Sequence, residues 1–108
     1  MNYNKLLPLT ETTFYIMLSL VKPLHGYAIM QNVEQLSNNK VKVAAGTLYG
    51  AIENLLKQKL IVEVESEDKR RRVYTLTPEG KELLALEIER LKHLISISND
   101  VLLGGNRQ

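Results

Sequence analysis

Two stretches of the chain decide its fold: GTLY at residues 46–49, and KRRRVYTLT at residues 69–77. The first falls within a predicted helix. The second falls within a predicted antiparallel hairpin, whose strands at residues 61–65 and 71–76 alternate and are rich in Val, Ile, Tyr and Thr. A helix can present side chains to a DNA groove, and a basic hairpin beside it can bind the flanking phosphates. Neither stretch is specific alone, but together they predict an α+β fold with a winged helix-turn-helix.

The third helix, which contains GTLY, is predicted to begin near Ala44 or Ala45 and to bury one side. At about 100° per residue one side is apolar; it consists of Leu48, Ile52, Leu55 and Leu56. The opposite side, with Tyr49 on its flank, consists of Gly46, Thr47, Gly50, Glu53, Asn54 and Lys57. This second side is left for a partner.

Two shorter helices are predicted before it. Thr10 is suited to cap the first helix, in which Phe14, Leu18 and Val21 recur at helical spacing. Residues 25–27 are predicted to form a break. One side of the second helix is then lined by Ile29, Met30, Val33 and Leu36.

A long terminal helix is predicted from Pro78 to Leu103, with Thr77 as its N-cap and Gly104 and Gly105 at its end. It would be ~39 Å long at 1.5 Å per residue, more than a small winged helix can cover. Its apolar side has heptad-like spacing, which a single copy would expose. We therefore expect a homodimer joined through this helix. The predicted interface consists of Leu84, Ile88, Leu91, Leu94, Ile95 and Leu102.

These elements divide one compact unit into a winged-helix DNA-binding region at residues 1–77 and a C-terminal dimerisation helix at residues 78–108. The carboxylates of the terminal helix are predicted to form its solvated side, with no acid/base pair among them. They are Glu79, Glu82, Glu87 and Glu89.

The predicted DNA contacts come from the outward side of the third helix, the lysines around it and the basic hairpin. They are Lys40, Lys42, Thr47, Tyr49, Gly50, Asn54, Lys57, Lys69, Arg70, Arg71 and Arg72. Up to Leu76 the chain has 10 Lys and Arg against 7 Asp and Glu, and from Thr77 onward 4 against 5, so the basic excess lies in the DNA-binding region. Plainer interpretations remain open. Tyr49 could pack on the hairpin, and the arginines could be the solvated tip of that hairpin. The lysines could be explained by a favourable interaction with the helix dipole.

The sequence contains no pattern typical of a catalytic or metal site. Cysteine is absent, which excludes disulfides and thiolate chemistry. His25 and His93 have no neighbouring carboxylate pattern that would complete a ligand set or a nucleophile with its base. The longest apolar run, residues 14–21, is far shorter than the ~20 residues that span a bilayer, and no signal-like segment precedes it. We expect a cytoplasmic protein without cofactor or metal that is not an enzyme.

The order of these blocks resembles the PadR family of bacterial transcriptional regulators, in particular its short members with a single C-terminal helix. Three blocks carry the resemblance: LHGYAI at residues 24–29, GTLY at 46–49 followed by LL at 55–56 and LI at 60–61, and RRVYTLTPEG at 71–80. The resemblance covers nearly the whole chain. It implies a dimeric repressor that binds a palindromic operator in double-stranded DNA and is often released by a small aromatic or drug-like compound.

One feature departs from the family pattern. Some short members hold flat ligands against an aromatic residue of the terminal helix, whereas no aromatic residue follows Tyr74 here and the stretch around Leu91 is aliphatic. The resemblance thus implies a small hydrophobic effector as a partner, without a stacking position on that helix. An alternative function for the same fold is a protein-interaction module that has lost DNA binding, and the net charge of only +2 leaves it open.

Overall fold

The computed structural model describes residues 3–104 and confirms an α+β winged helix followed by a long C-terminal helix. Within that range, four α-helices and three strands follow a short 3₁₀ helix at Tyr3–Leu6. In chain order they are α1 (Glu11–Ser19), β1 (Leu24–His25), α2 (Gly26–Leu36), α3 (Ala45–Lys57), β2 (Ile61–Val64), β3 (Val73–Leu76) and α4 (Pro78–Leu102). Among the helices of this described range, none is long and apolar enough to cross a membrane.

Threonine hydroxyls cap α1 and α4. The Thr10 hydroxyl accepts the backbone N–H of Thr13 at 3.1 Å, and the Thr77 hydroxyl accepts that of Gly80 at 3.0 Å. Pro78 follows in the first turn of α4, where the backbone N–H that proline lacks has no helical partner to lose. Both predicted caps are confirmed.

The residues that α1 buries most deeply are not the three whose helical spacing indicated the helix. Its fully buried apolar residues, including the one just after its end, are Ile16, Met17 and Leu20. Phe14 and Leu18 are only half-buried, and Val21 is exposed beyond the helix end. Because residues 14–18 are all apolar or aromatic, helical spacing alone could not select the buried side. Packing against α2 selects it.

The sheet is antiparallel, with strand order β1-β3-β2. The strands β2 and β3 form the predicted hairpin, called the wing below (residues 61–76), and β1 joins it by pairing Leu24 with Tyr74 and His25 with Val73. The predicted break at residues 25–27 is therefore wrong, since α2 begins at Gly26 directly after β1. A strand of two residues has too little alternation to be recognised in a sequence.

The strand β3 begins at Val73, later than the predicted Arg71. At the wing tip, the Asp68 carboxylate accepts the backbone N–H of Arg70 at 3.0 Å, and the Asp68 carbonyl accepts that of Arg71 at 3.0 Å. These two N–H groups are therefore engaged in a local turn instead of the sheet.

The N-terminal part of α4 packs on the winged helix, and two predictions made for it are wrong. Leu84, assigned to the dimer interface, is only 5% exposed in the core of its own chain, so little of it remains for a second copy. Glu87, assigned to the solvated side, is 1% exposed because it lies one turn beyond the buried Leu83 on the same side of the helix. Beyond Arg90 most side chains are exposed, and the molecule reaches 60 Å in its longest dimension.

Candidate nucleic-acid interface

The helix α3 has the two sides that the sequence predicted. Leu48, Ile52 and Leu55 are buried, and Leu56 packs against the core from a half-buried position. All the residues assigned to the opposite side are exposed; they are Gly46, Thr47, Gly50, Glu53, Asn54 and Lys57. The buried leucines and isoleucine fix the rotation of α3, so this polar side faces away from the core.

An open cleft of about 500 Å³ separates α3 from the wing. It brings together Tyr49 of α3, the segment at the start of α2, and the arginines before β3. Its lining residues are His25, Gly26, Tyr27, Tyr49, Arg70, Arg71, Arg72 and Tyr74. Of the predicted site residues, Tyr49 and the three arginines therefore border one concave surface.

Tyr49 lies between the start of α2 and solvent. Its ring is the nearest side chain to the open face of Gly26, and 52% of the residue is exposed. The contact is with α2, whereas the plainer sequence interpretation placed Tyr49 against the hairpin. The exposed part of the ring is available to a ligand in the cleft.

Asp68 partly neutralises the wing arginines. Its carboxylate accepts a hydrogen bond from Nε of Arg70 at 3.2 Å, and it lies 3.8 Å from Nε of Arg71. The hydrogen bonds from the side chain and the backbone of Arg70 hold the pKa of Asp68 below its ordinary value. Both arginines remain exposed, and Arg72 has no carboxylate partner within residues 3–104, so the tip keeps cationic groups toward solvent.

The lysines predicted to contact DNA lie at the surface, outside this cleft. Lys40 and Lys42 lie in the segment that enters α3, and Lys57 lies in its last turn, all three exposed. Lys69 lies in a separate pocket of the wing with Glu63 and Glu65, which Arg71 and Arg72 also line.

The sequence did not single out Tyr27, which is 64% exposed on the cleft at the start of α2. The feature that could have indicated its exposure is its position directly after Gly26, in the first turn of a helix, where side chains often do not pack in the core. That feature could be used only once α2 was known to begin at Gly26, because a break at residues 25–27 gives Tyr27 no defined direction.

A second, smaller cavity of about 350 Å³ lies between α1 and α4. It is lined by Leu9, Glu11, Phe14, Tyr15, Glu87, Arg90 and Leu91. Its two aromatic rings, those of Phe14 and Tyr15, both come from α1. Among residues 3–104, no cluster of His, Asp and Glu is arranged to hold a metal ion.

The chain is similar to known proteins over most of its length. The family profile described as "Transcriptional regulator PadR-like family" matches residues 16–86. An uncharacterised 37.1 kDa protein in transposon TN4556 of Streptomyces fradiae is 42% identical over 72 residues, which cover 67% of this chain and 20% of that protein. The chain thus spans a fifth of the length of this relative.

Two solved structures have the same fold. A transcriptional regulator from Clostridium thermocellum is 25% identical, with a TM-score of 0.68 over 85% of this chain and 92% of that one. A PadR family transcription regulator from Clostridium difficile is 23% identical, with a TM-score of 0.70 over 86% of this chain and 99% of that one. Because the family profile matches well over half of the residues, from α1 through the wing into α4, the chain belongs to the PadR-like family of transcriptional regulators.

Proposed function

We propose that this regulator is a repressor that binds a palindromic operator as a homodimer. The observation that carries the proposal is the common cleft of Tyr49 and the three wing arginines beside the exposed polar side of α3. The polar side of α3 would enter the major groove, and the wing arginines would bind the phosphates next to it. Thr47, Tyr49, Gly50 and Asn54 are the residues that we assign to the groove.

The second copy would be held by α4. After Glu87 this helix exposes a run of large apolar side chains, with Ile95 61% and Leu102 81% exposed. The exposed residues of the run are Ile88, Leu94, Ile95, Ile97, Val101 and Leu102. Together with the half-buried Leu91 they form a surface that a monomer would leave in water, and a two-fold axis would bury it twice.

A small aromatic compound is the effector that we propose for the cavity between α1 and α4. Phe14 and Tyr15 offer rings, Leu91 offers an apolar wall, and the Arg90 side chain offers a cation at the edge. A ligand there would press α1 and α4 apart, and α4 sets the distance between the two copies of α3 in a dimer. Ligand binding and DNA binding would then oppose each other.

Fluorescence anisotropy with a labelled duplex from the region upstream of the gene tests the DNA-binding proposal. We expect the wild-type chain to bind at low salt. Replacing Arg70, Arg71 and Arg72 by Ala should weaken binding to every sequence and flatten the dependence of log K on log salt by about 0.9 for each phosphate that the variant no longer neutralises. If the wild-type chain binds no duplex at low salt, the alternative of a protein-interaction module replaces this proposal.

The effector proposal has a separate test. A thermal-shift screen of small aromatic carboxylates and amines against the free protein should find compounds that raise the melting temperature and weaken DNA binding. Phe14→Ala should remove both effects of such a compound while DNA binding in its absence is kept. A compound that releases DNA equally from Phe14→Ala would place the effector elsewhere.

A further inference from the structure

We propose that Gly26 is a positioning residue for DNA binding, because the space left by its missing side chain holds the ring of Tyr49 at the mouth of the cleft. This inference rests on the proposed function, in which Tyr49 contacts DNA. It assigns a role to a residue of α2 that has no side chain of its own to offer a nucleic acid.

A methyl group at position 26 would fit only if the exposed phenol of Tyr49 moved away. A Cβ added to Gly26 would overlap the hydroxyl oxygen of Tyr49, and it would lie 3.0 Å from Cζ and 3.2 Å from Cε1 of the same ring. The three nearest atoms all belong to Tyr49. Gly26 is buried and Tyr49 is half-exposed, so the hydroxyl end of the phenol lies against the glycine while much of the residue remains in solvent.

Backbone conformation does not explain why glycine stands at this position. Gly26 is the first residue of α2 and has no left-handed backbone conformation of the kind that only glycine adopts easily. Within a helix, glycine is less favourable than every residue except proline. The helix itself does not require glycine here, and the group that a side chain at this position would meet is the ring of Tyr49.

The glycines of α3 provide a contrast. A Cβ added to Gly46 or Gly50 would meet no atom within 4 Å, so no other residue of the chain packs against the position that their side chain would occupy. Gly26 differs because its open face is occupied by a residue of the proposed DNA-binding surface. Alanine at position 26 would push the phenol outward, toward the space bordered by Arg70, Arg71 and Arg72.

A double-mutant cycle with Gly26→Ala and Tyr49→Ala tests the inference. Affinity for the upstream duplex is measured by fluorescence anisotropy for the wild type, both single variants and the double variant. Gly26→Ala should weaken binding on the order of tenfold, the size expected for the displacement of one good hydrogen-bonding side chain from DNA. In the Tyr49→Ala background the same change should have less than about a twofold effect.

Thermal denaturation of the same variants gives a readout that needs no DNA. Gly26→Ala should change the melting temperature less favourably when Tyr49 is present than when it is absent, because the ring must then be displaced. It should raise the melting temperature in the Tyr49→Ala background, where only the better helix propensity of alanine remains. If Gly26→Ala alone does not fold, the double variant should fold.

The outcomes separate the two proposals. A wild-type chain that binds no DNA would defeat the proposed function, and the melting temperatures would still decide whether Tyr49 is the neighbour that excludes a side chain at position 26. A wild-type chain that binds DNA, with an equal effect of Gly26→Ala in both backgrounds, would overturn the positioning role. A double variant that fails to fold would overturn it as well.

Discussion

The side-chain carboxylate of Glu87 accepts the backbone N–H of Leu9 at 2.9 Å, and so ties the segment before α1 to the middle of α4. Arg90, one turn further along α4, donates Nη2 to the same carboxylate at 3.1 Å. Both oxygens of this buried carboxylate accept hydrogen bonds, and among residues 3–104 no buried side-chain nitrogen or oxygen lacks a partner. Glu87 thereby links the helix proposed for dimerisation to the DNA-binding region.

We expect the free energy of unfolding to depend on pH through Glu87. The hydrogen bond from the Arg90 side chain outweighs burial, and with the Leu9 N–H it holds the pKa of Glu87 below its ordinary value. Such a group stabilises the fold above the unfolded pKa of about 4.3, and this stabilisation is lost as the pH falls below that value toward the folded pKa.

Glu87→Gln should therefore lower the free energy of unfolding near neutral pH, by about 1–3 kcal/mol, and reduce the loss of stability in acid. Denaturant unfolding as a function of pH measures both effects. Glu89→Gln is the matched control, since Glu89 is an exposed carboxylate on the same helix. Equal pH dependence in Glu87→Gln and the wild type would show that the buried pair does not contribute.

Gly80 sets how closely α4 approaches β2. A Cβ at this position would overlap the backbone carbonyl oxygen of Leu60, which also accepts the N–H of Thr77 at 3.0 Å. Gly80→Ala should therefore lower the free energy of unfolding by about 1–3 kcal/mol, although alanine favours helices. Gly46→Ala is the control, because its added methyl group meets nothing. Equal melting temperatures for the two variants would contradict the close packing.

The dimerisation proposal is best tested at Ile95. Leu91 is less suitable than the sequence suggested, because it also lines the cavity next to Glu87 and Arg90. Ile95→Asp should place an unpaired charge in the interface and give monomers in analytical ultracentrifugation. Ser96→Asp adds the same charge at the next position, on the polar side of α4, and should remain dimeric. An unchanged dimer for Ile95→Asp would refute the assigned surface.

Asp68 is expected to weaken DNA binding in the wild type. Its negative charge lies beside Arg70 and Arg71 at the wing tip, near the proposed phosphate positions. Asp68→Asn keeps an oxygen that can accept the Arg70 N–H and removes the charge, so affinity at low salt should rise on the order of threefold. Glu79→Gln, at the start of α4, is the control. A loss of affinity in Asp68→Asn would indicate that Asp68 is needed to shape the tip.

The sequence predicted the long, strongly patterned elements well. The core side of α3 follows from Leu48, Ile52 and Leu55, and the start of α4 follows from Thr77 and Pro78, because spacing and capping act locally. The orientation of α3 needed only the distinction between its apolar and polar sides.

Features that depend on contacts across the fold could not be predicted in this way. Glu87 has the pattern of a solvated carboxylate until the N-terminal segment folds back and brings Leu9 to it. The contact between Tyr49 and Gly26 is between residues of two different helices, α3 and α2. Likewise Leu84 fits a dimer stripe by spacing, and only its packing inside the chain assigns it to the core.

Symmetric operator binding through the polar side of α3 can be tested by a hydroxyl-radical footprint on the DNA upstream of the gene, with the wild-type chain, Tyr49→Ala and Asn54→Ala. We expect the wild type to protect two half-sites related by two-fold symmetry and separated by about 34 Å or a multiple of it. Both variants should lose this protection while they remain folded and dimeric. A footprint without two-fold symmetry, or full protection by both variants, would refute this mode of binding.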